Sequence, residues 1–240
     1  MRVSLFVTCL VDQIWPSVGT SAVEVLQRVG CEVDFDPRQT CCGQPAFNTG
    51  YRPEARALAE KFIANFEESG AEAIVAPSGS CTAMVQHYAD LFDDHRWRER
   101  AEAVAARTHE FSAFLVDVLK VEDVGAAFDG RVSWHDACHA LRDLRVKDAP
   151  RALLRQVRGT ELIEIPNAEA CCGFGGTFSV KYPDISVAIV DPKVDALERA
   201  GVDAVISGDV SCLMQIGGRL SRRGSKVRPL HLAEILATTA

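Results

Sequence analysis

Nowhere in this 240-residue chain does an apolar run reach the roughly 18 to 20 residues of a membrane span. Positive charge is in short supply as well. Lys and Arg number 26 against 33 Asp and Glu, a formal net charge of −7, so nothing in the balance suits a nucleic-acid backbone. The one basic run, Arg219 to Lys226 with Arg222 and Arg223, reads as a solvated helix end rather than a binding patch. Met1-Arg2-Val3-Ser4-Leu5-Phe6-Val7 is too short for a signal peptide and lacks a small-residue cleavage site. It reads as a first strand, and the chain as cytoplasmic. Two familiar cysteine patterns are missing too: no C-x-x-C pair and no ferredoxin-like C-x-x-C-x-x-C run occurs. Nine cysteines without an export signal are expected to stay reduced, which points to metal binding or redox work and away from disulfides.

The cysteines that are present follow a pattern. Cys171-Cys172-Gly173-Phe174-Gly175-Gly176 sets two thiols side by side before three glycines. Neighbouring side chains oppose each other on a strand and diverge by about 100° on a helix, so both sulfurs serve one site only where the backbone turns sharply. Glycine permits that turn and a close approach of backbone to a bulky ligand. A second copy, Cys41-Cys42-Gly43, lies 130 residues upstream. Cys9 pairs with Cys138 at an offset of 129, and Cys81 with Cys212 at an offset of 131. Val3-Ser4-Leu5 matches Val132-Ser133-Trp134, and the segment from Gly70 to Val75 matches that from Gly201 to Ile206. The order C…CCG…C therefore occurs twice and takes up eight of the nine cysteines, the mark of an internal repeat.

Length leaves room for two modest domains, here residues 1–124 and 131–240, with the boundary in Asp123 to Gly130. In the first half, strand 2–8 delivers Cys9 and a helix follows around Ser21 to Arg28. A strand at Glu32 to Phe35 stops before Cys41. Pro53 and Gly70 bracket a helix whose stripe of Ala55, Leu58, Ala59, Phe62, Ile63 and Phe66 is core. Strand Ala73 to Ala76 leads to Cys81 and a helix Thr82 to Leu91; Asp93 to Arg100 reads as a charged connection, and Phe111 to Leu119 as an amphipathic helix. The second half repeats the plan, with strands Val132 to Asp136, Glu161 to Ile165 and Ala204 to Ser207, and helices Ala149 to Val157 and Leu213 to Leu220. A helix from about Asp184 is expected to kink or split at Pro192. A strand near Val227 and a helix His231 to Thr238 close the chain. The expected class is α/β: two pseudo-symmetric repeats, each a small parallel sheet flanked by helices, with the cysteines at the C-terminal strand ends, where open α/β sheets bind ligands.

Four thiolates per half, Cys9, Cys41, Cys42 and Cys81 in the first and Cys138, Cys171, Cys172 and Cys212 in the second, suit an iron–sulfur cluster. Zinc also takes four thiolates, although structural zinc sites draw on close C-x₂₋₄-C pairs; dithiol chemistry is the third reading. The second set is the stronger site, because Gln44-Pro45 replaces the later glycines in the first. Cys81 and Cys212 fall at helix N-termini, where the dipole favours a thiolate. Cys31 lacks a counterpart and reads as a buried thiol at a helix–strand corner. His135 and His139 flank Cys138, in position to orient a ligand, relay a proton or donate to a sulfide; the bland alternative is a structural imidazole. Asp136 is a candidate for hydrogen-bonding the loop backbone. Gly173, Gly175 and Gly176 serve the turn and close approach to sulfide. Arg142, Arg145 and Lys181 are candidates for a cationic pocket.

Three segments carry a resemblance: Trp134-His135-Asp136-Ala137-Cys138-His139, the Cys171 to Gly176 stretch, and Val210-Ser211-Cys212-Leu213-Met214-Gln215. With the ending His231 to Leu236, they resemble the cysteine-rich CCG-domain family, which includes the cysteine-rich subunit of heterodisulfide reductase and the iron–sulfur subunit of glycolate oxidase. The lack of a ferredoxin-like run matches the short, stand-alone branch concerned with lactate utilisation. The resemblance implies an iron–sulfur electron-transfer subunit of a multisubunit oxidoreductase that oxidises L-lactate to pyruvate, working with a ferredoxin-like Fe–S protein and other subunits of a lactate-oxidising complex. It implies one or two [4Fe–4S] clusters per chain. Members with a noncubane cluster carry C-x-x-C after the cysteine pair; here Met84 and Gln215 stand in its last position. Zinc-stabilised interaction module and thiol-based disulfide reductase remain as alternatives.

Overall fold

The computed structural model describes residues 1–239. The first half runs β1 (Arg2–Leu5), α1 (Cys9–Ile14), α2 (Ser17–Arg28), β2 (Glu32–Asp34), α3 (Gln44–Asn48), α4 (Arg52–Glu68), β3 (Ala73–Ala76) and α5 (Gly79–Gln86). A 3₁₀ turn (Tyr88–Leu91), α6 (His95–Ala106), β4 (Thr108–Glu110) and α7 (Phe111–Ala113), extended by a π turn (Phe114–Val118), complete it. The second half runs β5 (Ala127–Trp134), α8 (Cys138–Arg142), α9 (Asp148–Gln156), β6 (Arg158–Leu162), α10 (Thr177–Lys181) and α11 (Pro183–Ala200). It ends with β7 (Ala204–Ser207), α12 (Val210–Arg222), β8 (Arg228–His231) and α13 (Leu232–Ala237). Each half builds a four-stranded, wholly parallel sheet, β2-β1-β3-β4 and β6-β5-β7-β8. Strand order reverses between β1 and β3, and between β5 and β7. A crevice opens at such a switch point, beyond the C-terminal strand ends.

The inner faces of the two sheets share one core. Val3, Leu5 and Val75 from the first pack in the same apolar cluster as Val132, Trp134 and Ile206 from the second. The outer faces have separate cores, one around Phe6, Phe62 and Ile74, the other around Val190, Val194 and Val205. The halves also exchange contacts by a pseudo-twofold rule: α2 packs on α13 as α9 packs on α7, and α5 on α8 as α12 on α1. Arg28 in α2 donates to the carbonyls of Leu236 and Ala237 at 2.8 and 2.7 Å, which satisfies orphan groups at the end of α13.

Buried polar groups stitch the same interface. Asp209 precedes α12 yet caps the other half: its carboxylate accepts from Ser78 Oγ, Ser80 Oγ and the Ser80 N–H at 2.8, 2.7 and 3.2 Å. Glu110, fully buried, caps α7 through the Ala113 N–H at 3.0 Å. Burial chiefly, with the Asp209 charge adding to it, pushes its carboxyl up from 4.5 to about 7. A raised carboxyl value means the folded state prefers the proton. The stability it gives is complete below pH 4.5 and lost as pH rises through 7. We expect wild-type stability to fall by something on the order of 3 kcal/mol more than that of Glu110→Gln between pH 4.5 and 8. Urea midpoints of both proteins across that range check it, and parallel curves would refute it.

The structure corrects several sequence expectations. Asp93 to Arg100 is not a connection: the Asp94 carboxylate caps α6 by accepting from the Trp97 N–H at 3.0 Å, and the helix buries Ala101, Val104 and Ala105. Its charges lie on the outer face of an amphipathic helix. Pro192 does not split α11, which runs unbroken to Ala200. Pro192 and Ala188, whose carbonyl it leaves without an N–H, are both exposed, so the lost bond falls on the solvent side of the helix. The strand expected at Glu161 to Ile165 lies at Arg158–Leu162, and β1 stops at Leu5 so that Cys9 starts a short helix. β5 already begins at Ala127, inside the stretch read as the boundary. Two expectations hold. Cys31 is a buried thiol between α2 and β2, and the basic run ends α12, where Arg223 pairs with Asp195 and Glu198.

Candidate metal centres

All eight repeated cysteines follow strand ends, and each half gathers its four. Cys9 and Cys41 are 3.6 Å apart at Sγ, and Cys42 and Cys81 3.2 Å. In the second half Cys172 and Cys212 are 3.0 Å apart, and Cys138 shares a hydrogen bond with Cys171. Every one is a free thiol. The turn that brings neighbouring thiols together is made at Gly43 (φ +85°) and Gly173 (φ +81°), a left-handed conformation that favours glycine. That turn swings the glycine N–H back onto the first sulfur of the pair, at 3.4 Å on Cys41 and 3.3 Å on Cys171. The close approach Gly173 makes is to α11, since a Cβ there would stand 2.5 Å from the Ser186 carbonyl oxygen. Cys81 and Cys212 sit at the third residue of α5 and α12, as expected of helix N-termini.

Within each set the hydrogen bonds among the thiols favour the thiolate at one sulfur. Hydrogen bonds from the Cys42 and Cys9 thiols hold Cys41 down at about 3; those from Cys138 and Cys172 hold Cys171 at about 2. The donors are pushed up in turn, Cys9, Cys42, Cys138 and Cys172 all by these bonds first and then by burial. A metal entering either set displaces protons from its thiols. Both sets open on one cavity of about 430 Å³, whose wall includes Cys9, Cys42 and Cys81 from one half and Cys138, Cys171, Cys172 and Cys212 from the other. That volume lies within the range of ligand pockets. Thiol groups gathered four to a half, seven of the eight on the wall of a shared space, are donors suited to a metal or iron–sulfur centre in each half.

The sequence profile of the CCG cysteine-rich domain matches residues 3–86 and again 132–217, one copy for each sulfur set. The chain belongs to the CCG cysteine-rich domain family. Lactate utilization protein A of an Exiguobacterium strain is 52% identical over 98% of this chain and 96% of its own length. Lactate utilization protein A of Geobacillus kaustophilus is 51% identical over 98% of both chains. Among solved structures, a hypothetical protein from Helicobacter pylori superposes with a TM-score of 0.67 at 12% identity. It covers 98% of this chain and 48% of the Helicobacter one, a likeness of fold alone.

The second CCG half carries polar groups around its sulfurs that the first lacks. His135 is wholly buried, and its ring lies within 4.8 Å of the Cys172 and Cys212 sulfurs. Neither ring nitrogen has a hydrogen-bond partner, a cost of about 1–3 kcal/mol for a buried polar group. Burial, and then the Lys193 charge, push its pKa down to about 3, so the imidazole is neutral. His139 instead lies half exposed, with Nδ1 2.6 Å from Asp143, and lines the cavity. Asp136 does not bond the loop backbone as expected. Its carboxylate accepts from Trp134 Nε1 at 2.9 Å and from both Arg151 Nη atoms at 2.8 and 2.7 Å. The C-x-x-C shortfall has a structural answer: Met84 is core, and Gln215 Nε2 donates to Ser186 Oγ, which donates to the Gly173 carbonyl, both at 2.7 Å. Gln215 therefore braces the CCG turn. Gly175 and Gly176 line the cavity, whereas Arg142, Arg145 and Lys181 are exposed and do not, so no cationic pocket forms from them.

Sequence reasoning missed Lys193, Asp209 and Arg151. A signal for Lys193 was available. The repeat puts it in register with the core residue Phe62, and a lysine at an apolar register position is an anomaly.

Proposed function

We propose that each half holds one [4Fe–4S] cluster, and that the chain serves as an electron-transfer subunit in oxidising lactate to pyruvate. The observation that carries this reading is the pair of all-thiol quartets opening on one cavity. The substrate comes from relatives at about half identity named for lactate utilization. When bound, a [4Fe–4S] cluster takes up and releases one electron at a time. Two such centres match the two electrons that leave one 2-hydroxy acid. The chain's own contribution is to hold and tune. Cys9, Cys41, Cys42 and Cys81 hold one centre, and Cys138, Cys171, Cys172 and Cys212 the other. The Gly43 and Gly173 turns aim the cysteine pairs, and the shared core keeps the two halves in register. Partner subunits, a ferredoxin-like Fe–S protein among them, handle the substrate and deliver or remove electrons. No helix among the described residues is long and apolar enough to cross a membrane. Free thiols in this number suit a reducing compartment, and the proposal sets the chain in the cytoplasm.

The test is iron, acid-labile sulfide and zinc quantitation on one anaerobically purified sample. We expect about eight iron and about eight sulfide per chain, with visible absorption that bleaches on reduction by dithionite. Zinc without sulfide would make the protein a structural module and end the electron-transfer reading.

A further inference from the structure

The two halves obey the same fold but not the same chemistry beneath their sulfurs. Phe6 and His135 are counterparts at the ends of β1 and β5. The Phe6 N–H donates to Val75 and the His135 N–H to Ile206, at 2.9 and 2.8 Å, in equivalent register. Phe62 and Lys193 are counterparts on α4 and α11, 131 residues apart as are Ala55 and Ser186, which face Gly43 and Gly173 alike. In the first half the pair is aromatic and touching, with ring centroids 4.8 Å apart, edge to face. In the second it is an imidazole with a lysine charge close by. The Tyr88 hydroxyl, buried beside the first site, is already given to the Cys42 carbonyl at 2.8 Å.

Lys193 is 2% exposed and forms no ion pair with a carboxylate among the described residues. Its Nζ donates to the carbonyls of Asn167 and Ala168 at 2.8 and 2.9 Å, two of its three donors. A buried ammonium normally has an anionic partner. Asp136, the carboxylate nearest in the loop, is held by Arg151. Burial chiefly pushes the Lys193 pKa down, and the groups that act against this are the Cys172 and Cys212 sites, then Asp136 and Cys138, so thiolates bound to a metal there would hold its charge. His135 completes the contrast. A neutral imidazole carries one N–H; one ring nitrogen lies within 4.8 Å of the Cys172 and Cys212 sulfurs, and neither makes a well-formed hydrogen bond to a protein group.

We propose that His135 and Lys193 raise the reduction potential of the second centre above that of the first, so that an electron shared between them rests in the second half. Hydrogen bonds to sulfur, nearby charge and exposure set the potential of a thiolate-held cluster. Reduction adds negative charge. A cation and an N–H donor beneath the second set stabilise that charge, whereas two phenyl rings beneath the first do not. Cys171 is exposed and Cys41 only half so, which acts in the same direction. The asymmetry gives the shared cavity a direction: electrons arriving at the first set move to the second, whose thiol Cys171 meets solvent.

This inference rests on the two-cluster reading, and the experiment separates the two. Iron and sulfide are counted on the full chain, and the same sample is titrated potentiometrically with EPR detection. Cys42→Ala, which leaves the second centre alone, assigns the signals. We expect two midpoints in the wild type, the second higher by at least tenfold in electron partition, about 59 mV for one electron. Lys193→Met and His135→Phe should each lower the second midpoint and leave the first unmoved, while His135→Gln, which keeps an N–H, should lower it less. Iron near four per chain would refute the two-cluster reading and the proposal with it. Eight iron with coincident or reversed wild-type midpoints would overturn the proposal alone, whether or not the variants load.

Discussion

Cys172→Ala is expected to halve the iron and the acid-labile sulfide, from about eight to about four of each per chain, and to leave the first half loaded. The sulfur sets are built from separate loops on separate sheets, and no cysteine belongs to both. Cys172 is buried and sits 3.0 Å from Cys212, so its loss opens the second set at its most enclosed corner. The second centre loses one of its four thiolates, and the spare donors nearby are not thiolates: His135 is a buried neutral imidazole. Gln215 is an amide engaged with Ser186. Cys42→Ala should give the mirror result, and the double variant should bind neither iron nor sulfide. Cys31→Ala is the control. That thiol packs in the inner core at 7% exposure and belongs to neither set, so its loss should leave the metal content unchanged. Full iron in Cys172→Ala would remove this cysteine from the site.

Asp136→Ala is expected to cost about 3–5 kcal/mol of stability, the range for breaking a buried ion pair. Asp136 is 0% exposed at its side chain and Arg151 8%, and the two meet at both Nη atoms. Removing the carboxylate leaves the Arg151 guanidinium with the Lys147 carbonyl and one anionic partner, Glu164, which is half exposed, and leaves the Trp134 indole N–H without its acceptor. The site suffers as well. Asp136 lies two residues before Cys138, and its carboxylate fixes that stretch by accepting from Trp134 Nε1 and both Arg151 Nη atoms, contacts that Ala cannot make. Chemical denaturation of the apo protein reads the stability, and iron content after reconstitution reads the loop. A loss under 1 kcal/mol would mean that the ion pair adds little beyond its own desolvation.

The fold was legible where local rules decide it. The helix Arg52–Glu68 was bracketed by Pro53 and Gly70, and the central strands Ala73–Ala76 and Ala204–Ser207 came out at their observed bounds, because short apolar runs between turn residues have few alternatives. Elements went astray where packing overrides local pattern. The α6 charges hid a helix whose buried stripe is only alanine and valine, and β4, three residues long, has too little sequence to show a period. Pro192 is the opposite case. Its rule predicts a break, and solvent on that face of α11 removes the need for one.

The amino-acid order by itself determined that the chain is a repeat, that each repeat owns four thiols, and that a glycine turn follows each cysteine pair, since offsets and residue types are properties of the linear chain. It also carried the family, through motifs that need no coordinates. Only the tertiary structure decided that the two sulfur sets face one cavity, because the pseudo-twofold exchange of α5 with α8 and α12 with α1 joins segments over a hundred residues apart. The same holds for the ground beneath each set. Phe6 meets Phe62, and His135 comes within the field of Lys193, only when a helix packs across its sheet. That packing turns two matched cysteine motifs into two unlike centres.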